Sequence, residues 1–379
     1  MIRTSVCAGP WDFVGDAGAA ERFAAFGADS VSVAAAYHSV RAATPRHQMR
    51  RFMESPHSAL YLPTRPEKWQ GVRLQPSSAL SWMGVDDAFG QAQAALTEVG
   101  VRTVGWVVLT HNDAPAGPLD NELNVKTAFG DALSYALCPS SDDVLEYCAT
   151  LVSAVAETGI DEIMLEAVGQ VGFDHGGAHD KTSGADWSAL DRALLSVCCC
   201  VSCAAALREV GIDMNDVAAA IRSAVGRGLE SMEEALGEYA KPVLAARLTS
   251  TSRLHAAVVE AARAGGVHRL TSHVGLSPWA ASSFSPMPPG AVDLDAIVLS
   301  DSTVATLDAS AIAALKSERQ TGIAAYVSVL PPVSPKDLLE RWEGFIRNGV
   351  DEMVVYHGGL VSENRASAVT DALKHIALL

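Results

Sequence analysis

The sequence predicts a (β/α)8 barrel, and three observations carry that prediction. Eight short apolar runs recur along the chain, helical patterns separate most of them, and two helix-to-strand junctions share one grammar. The runs are continuous rather than alternating, as parallel strands buried on both faces should be. The shared grammar is a helix, a Gly, a two-residue turn and an apolar strand, in ETGIDEIMLE and RNGVDEMVVY. Eight β-units with helices between them is the count of a barrel. The alternative is an open doubly wound sheet. No GxGxxG follows any run, so neither a dinucleotide site nor a nucleotide cofactor has support.

The elements follow in order. TSVCAG, starting at residue 4, is the first strand, and DSVSVAAAY, residues 29–37, is the second. A long irregular excursion then runs from about 38 to 85. DDAFGQAQAALTEVG is a helix leading to the third strand, TVGWVVLT, residues 103–110. The next helix is SSDDVLEYCATLVSAVAETG; Ser141 suits its N-cap, Asp142 and Asp143 its positive N-terminal end, and Gly159 its stop. DEIMLEAV, residues 161–168, is the fourth strand, followed by a largely helical insertion from about 170 to 266. The remaining strands are VHRLTSHV (267–274), LDAIVLSD (294–301), GIAAYVSVL (322–330) and DEMVVYHG (351–358). SPKDLLERWEGFIRNG precedes the last strand as a helix, and SENRASAVTDALKHIALL closes the chain as another. Residues 1–379 thus read as a single barrel domain with two insertions. Both follow a strand, which puts them on the side where barrel active sites are built.

Composition narrows the partners. The formal net charge is −16, which disfavours binding to a nucleic-acid backbone. No stretch reaches the ~18 consecutive apolar residues of a membrane helix. The start, MIRTSVCAGPWDF, lacks the apolar core of a signal peptide, so a cytoplasmic location is expected. A small neutral or cationic ligand suits the acidic surface. Pairing into a homodimer is left open.

Polar residues at the C-terminal ends of barrel strands are the catalytic candidates. Here they are Trp11 and Asp12; Tyr37, His38 and Arg41; Thr110, His111, Asn112 and Asp113; Glu166; His273; Asp301; and Tyr356 with His357. Strand seven ends in Leu330-Pro331-Pro332 and offers no acid. Aromatic faces with amides, imidazoles and carboxylates suit a polyhydroxylated, sugar-like small molecule. Glycoside hydrolysis usually needs two carboxyls. Glu166, within the apolar IMLEAV, is the expected acid/base, because burial raises a carboxyl pKa. Asp301 is its expected partner, although an acid there could equally cap the next helix. His111 joins them as a candidate catalytic group. Trp11, His38, Asn112, His273, Tyr356 and His357 are expected to contact the ligand.

The loop DHGGAHDK, residues 174–181, concentrates titratable groups just past the fourth strand. His175 and His179 read as metal ligands, as substrate contacts with Lys181, or as solvated surface residues. Gly176 and Gly177 argue against a helical HExxH site and favour a loop over the barrel mouth. Downstream, Cys198, Cys200 and Cys203 form C-x-C-x-x-C, the grammar of thiolate metal sites. A structural zinc would need a fourth ligand: His175, His179 or a distant Cys. The alternative is free thiols packed as small hydrophobes.

The strings THND, NVKTAFGDALSYALCPSSDDVLEY, DEIMLEAVGQVGFDHGGAHDK and LLSVCCCVSC resemble a group of bacterial TIM-barrel proteins described as glycoside-hydrolase-like or as alanine-rich proteins of unknown function. The resemblance runs from about residue 100 to 210, with an echo in VVYHGG. The matching positions are His111 and Asn112; Asn124 through Asp131; Cys138 and Pro139; Glu166; His175, His179, Asp180 and Lys181; and Cys198, Cys200 and Cys203. The resemblance implies a barrel, a hydrolase acting on a sugar or glycosylated small molecule, and a ligand contact at Asn124. This chain departs from the pattern at Gly176–Ala178, where further histidines are expected, and at strand seven, which lacks a carboxylate. Two other functions remain open. One is a metal-dependent lyase, isomerase or amide hydrolase, with His175, His179, Asp180 and Glu166 on the metal. The other is a barrel that only binds a ligand.

Overall fold

The computed structural model describes residues 2–78, 80–113, 122–175, 181–182, 184–287 and 293–379. Eight parallel strands form its centre: β1 (Arg3–Ala8), β2 (Ser30–Tyr37), β3 (Arg102–Val108), β4 (Glu162–Glu166), β5 (Arg269–Gly275), β6 (Ala296–Ser300), β7 (Gly322–Ser328) and β8 (Glu352–Tyr356). Each pairs with its sequence neighbours, and β8 pairs with β1, so the sheet closes. The fold is therefore the expected (β/α)8 barrel. All eight strands match the expected apolar runs, extending at most one residue beyond them, because residues covered on both faces leave no room for polar alternation. Every residue of β2 is buried.

The helices, in chain order, are α1 (Ala19–Ala24), α2 (Ala88–Glu98), α3 (Asp142–Ala156), α4 (Ala189–Leu195), α5 (Val201–Glu209), α6 (Met214–Ala224), α7 (Met232–Leu236), α8 (Ala240–Ala264), α9 (Asp301–Val304), α10 (Ala309–Arg319), α11 (Leu338–Arg347) and α12 (Glu363–Ile376). Asp87 caps α2 by accepting the Gly90 N–H at 2.8 Å. Ser141 is the N-cap residue of α3, and Gly159, at φ 76°, supplies the left-handed turn after it.

Three excursions rise from the C-terminal ends of the strands. After β2, Val40–Ala43 pairs with Phe52–Ser55, and Ala59–Leu60 returns antiparallel to the end of β2. After β3, Asn124–Lys126 pairs with Ala132–Leu137 in a hairpin that the sequence did not single out as an insertion. After β4, α4 to α7 enclose a second small apolar core that includes Leu194, Val217 and Ile221. Near the end of that segment the 25-residue α8 packs on α3 beside the barrel wall.

The opposite, N-terminal end is closed by charge. Glu162 Oε1 accepts from Arg3 at 2.6 Å and from Arg102 at 2.7 Å. Arg269 pairs with Glu352, and its Nε lies 3.8 Å from Glu162. These residues begin their strands, so the ring ties β1, β3, β4, β5 and β8 together away from the mouth.

Candidate functional site at the barrel mouth

Glu166 is the last residue of β4 and points into the barrel among side chains from its neighbours. The Trp106 indole on β3 donates to Glu166 Oε2 at 2.8 Å. His273 of β5 places Nδ1 3.6 Å from the same oxygen. Its imidazole stacks on Phe284, with centroids 4.7 Å apart, and burial pushes its pKa down to about 3, so it is neutral. Burial pushes the Glu166 carboxyl up to about 7, with the Trp106 hydrogen bond opposing that shift. The carboxyl charge in turn raises the pKa values of Tyr37, Tyr326, Tyr356 and Cys7, behind the larger effect of their own burial. Tyr326 and Tyr356 have centroids 5.3 Å apart. The result is a carboxyl poised near neutrality inside an aromatic box.

A second group lies one strand further round. Tyr37 stacks on His38, and His38 stacks on His111, each with centroids 4.1 Å apart. His175 Nε2 is 3.0 Å from His111 Nδ1. Asp113 Oδ2 accepts the Ser39 N–H at 2.9 Å. Burial lowers the pKa of His38, His111 and His175, the last to about 4, and neighbouring imidazoles lower those of His111 and His175 further. β2 and β3 are adjacent, so their C-terminal loops meet.

Other expected site residues have different surroundings. Asp301 opens α9, with Ser300 as the cap accepting the Thr303 N–H. Its carboxylate pairs with Arg341 of α11 at 3.0 Å and accepts the Ser328 N–H at 3.4 Å. Glu166 makes its contacts with Trp106 and His273 instead. Asn112 is buried and donates to Tyr147 of α3 at 2.9 Å. Asn124 donates to Leu133 O and Ala136 O, bracing its own hairpin. Trp11 is buried with edge-on contacts to Tyr37 and Tyr61, and its indole N–H has no partner among the described residues. His357 is buried, its Nδ1 accepting the Gly359 N–H at 3.1 Å. Lys181 is exposed and has φ 66°. His179 and Asp180 lie outside the described residues. Asp174 pairs with Arg192 at 3.0 Å.

Asp12, which the sequence placed at the end of strand one without a role, is fully enclosed. Its Oδ2 accepts the Gly9 N–H at 2.8 Å, and burial raises its pKa to about 7. A Cβ on Gly359 would sit 2.1 Å from that oxygen, so the turn after β8 needs glycine there.

The cysteines converge. The Sγ atoms of Cys138, Cys198, Cys200 and Cys203 all lie within 4.8 Å of one another. Cys138 is 3.6 Å from Cys203, 3.7 Å from Cys198 and 3.5 Å from Cys200. A disulfide needs ~2.05 Å, so these are free thiols. Tetrahedral zinc with Zn–S bonds of ~2.3 Å sets its sulfurs roughly 3.8 Å apart, which the cluster nearly matches. The Lys126 N–H reaches Cys198 Sγ at 3.4 Å, a bond that a thiolate strengthens. Arg247 is buried alongside. It donates to Gln170 and the Ala280 carbonyl, and the nearby sulfurs support its charge against burial. Of the candidates for a fourth ligand, His175, His179 and a distant Cys, it is a Cys, Cys138, that the hairpin after β3 brings beside the other three sulfurs.

Known structures share the architecture. The catalytic domain of a β-amylase from Paenibacillus polymyxa superposes with a TM-score of 0.55 at 12% identity, over 99% of this chain and 98% of that one. A GH42 β-galactosidase from G. stearothermophilus superposes at 0.54 with 12% identity, over 99% of this chain and 56% of that one. A β-galactosidase from the psychrophilic Marinomonas ef1 gives 0.52 at 11% identity, over 100% and 60%. This chain thus spans a little over half the length of the two β-galactosidases. At these identities the likeness is one of fold. No protein-family model and no curated protein sequence matches the chain.

Proposed function

We propose that this protein is a carbohydrate-acting (β/α)8 enzyme, with hydrolysis of a glycosidic bond as its reaction and Glu166 as the proton-transferring residue. The observation that carries the reading is the Glu166 carboxyl itself: at the end of β4, buried, and raised to about 7. A carboxyl with that pKa is protonated in part at neutral pH and can act as a general acid. The named activities of the superposable β-amylase and β-galactosidases support the substrate class. In this reading Glu166 gives its proton to the departing glycosidic oxygen as the C–O bond breaks. Water adds to the anomeric carbon, and its proton returns to Glu166. The faces of Tyr37, Tyr326 and Tyr356 flank the positive charge that develops on the sugar.

We also infer that Cys138, Cys198, Cys200 and Cys203 hold a structural zinc. When bound, the metal stitches the β3 hairpin to the helical insertion after β4 and leaves acid–base chemistry to Glu166. The buried Arg247 offsets part of the negative charge of four thiolates.

The test is turnover of a panel of aryl and natural glycosides by wild type and E166Q, which keeps the side chain's shape and loses its proton. The expected result is a fall in kcat/KM of at least ~100-fold. Equal turnover by E166Q would remove Glu166 from the chemistry. Ligand binding without turnover by the wild type would mark a binding barrel.

A further inference from the structure

One cluster of metal-ligating side chains is used by neither Glu166 nor the cysteines. One donor atom from each of His38, His111 and Asp113 lies within 4.8 Å of the other two. The hydrogen bonds around these residues leave the right lone pairs free. His38 Nδ1 is 2.6 Å from the Ser39 carbonyl, so that nitrogen carries the proton and Nε2 is the unprotonated one. His111 Nδ1 meets His175 Nε2 at 3.0 Å, so His111 can donate there and keep its own Nε2 open. Asp113 Oδ2 is fixed by the Ser39 N–H at 2.9 Å, and its main chain is locked to Ser58 in both directions, at 2.7 and 3.2 Å. Ligating histidines typically donate their second ring N–H to a carbonyl or another acceptor, and ligating carboxylates are hydrogen-bonded in turn. All three residues meet that requirement before any metal is added.

We propose that His38, His111 and Asp113 form a second metal site at the barrel mouth, one that binds a borderline first-row dication through two imidazoles and one carboxylate. Three protein ligands leave at least one position for water or for a hydroxyl or carbonyl oxygen of a ligand, the arrangement of a catalytic rather than a structural centre. The set differs from the one the sequence suggested: His175 orients His111 instead of coordinating, and Glu166 stays outside. The Tyr37 ring, stacked on His38 and packed edge-on against Trp106 at 4.8 Å, links the metal to the Glu166 box. A ligand held over the mouth would thus meet a Lewis acid on one side and a proton donor on the other.

The experiment is a Co2+ titration of the purified full chain after its cysteine cluster has been filled with zinc. The expected result is one further equivalent of Co2+ with d–d bands and no thiolate-to-cobalt charge-transfer band. H38A, H111A and D113N should each raise the Co2+ Kd at least ~10-fold, with zinc content and Tm unchanged. D113N keeps the oxygen that accepts the Ser39 N–H, so it guards against misfolding of the other two variants. H175A should weaken the site without abolishing it. E166Q should bind Co2+ as the wild type does, so failure of the Glu166 reading leaves this one standing. Absence of a second equivalent, a charge-transfer band on it, or binding undisturbed in all three ligand variants would each overturn the proposal.

Discussion

The Trp106 indole N–H donates to Glu166 Oε2 at 2.8 Å inside the barrel, and among the described residues it is the one hydrogen bond opposing the burial of that carboxyl. Burial wins, because one neutral donor returns only part of the hydration an ionised carboxylate loses. Trp106 therefore sets how far the pKa rises as well as where the carboxyl points. W106F should move the alkaline limb of the pH–rate profile, which the Glu166 proton sets, to higher pH; an unmoved limb would assign the indole to packing alone.

Glu166 should cost the fold stability at alkaline pH. Its pKa rises from 4.5 to about 7 on folding, so the folded state holds its proton more tightly than the unfolded one. The cost is absent below the unfolded value, grows as pH rises through that interval, and is complete above about 7. The groups that face it stay neutral throughout: His273 by its depressed pKa, and Cys7, Tyr37, Tyr326 and Tyr356 by their raised ones. Asp12 also titrates near 7 but is common to both proteins. E166Q should thus be more stable than wild type at pH ~8, by roughly 3 kcal/mol, and no more stable at pH ~4. Urea unfolding of both proteins at the two pH values checks this; a gain that is equal at both would mean that ionisation is not its source.

The cysteine cluster predicts that Cys138, although about sixty residues from the others in sequence, matters as much as they do. The purified protein should carry one zinc in this cluster, and C138S should lose it as completely as C200S. Chelation of the wild type should lower Tm by several degrees, because metal affinity that requires the folded site is folding free energy. Elemental analysis beside a thermal melt reads both. Zinc retained by C138S would restore the open choice of fourth ligand.

What the sequence disclosed follows from what is local. The eight strands were legible because burial on both faces writes an unbroken apolar run, and Gly159 marks the end of α3 by its left-handed backbone, whereas Ser141 holds the N-cap position without a side-chain capping bond. Glu166 stood out for the same reason, as one acid within such a run. The hairpin at 124–137 was missed because its first strand is three residues long. Neither Cys138 nor the trio of His38, His111 and Asp113 could be assembled from spacing, since each set meets only through the paths of the loops after neighbouring strands. Asp301 shows the converse: its sequence fitted both a helix start and a catalytic partner, and Arg341, about forty residues on, now pairs with it. Asn112 was expected at the mouth by residue type and Asn124 by the resemblance; Asn112 donates to Tyr147, and Asn124 donates to the Leu133 and Ala136 carbonyls.

The two ends of the barrel should respond differently to the loss of a carboxylate. Glu162 begins β4 as Glu166 ends it, and the two face opposite ends of one short strand. Glu162 neutralises Arg3 and Arg102 and faces Arg269, whose only other acid partner among the described residues is Glu352. E162Q keeps the shape but takes the anionic partner from Arg3 and Arg102 and leaves Arg269 paired with Glu352. Arg3 and Arg102 are partly open to solvent, which screens the repulsion, so the expected loss is about 1–2 kcal/mol rather than that of a dry ion pair. Added salt should narrow the gap to wild type, since exposed charges are screened over ~8 Å at physiological ionic strength. Turnover per folded molecule should stay unchanged, because the N-terminal face of such a barrel serves stability and the C-terminal face serves chemistry. Urea midpoints at low and high salt, set beside kcat for the same samples, decide the matter. Activity lost at undiminished stability would mean that the charged ring reaches the mouth through the strand and that the two ends are not independent.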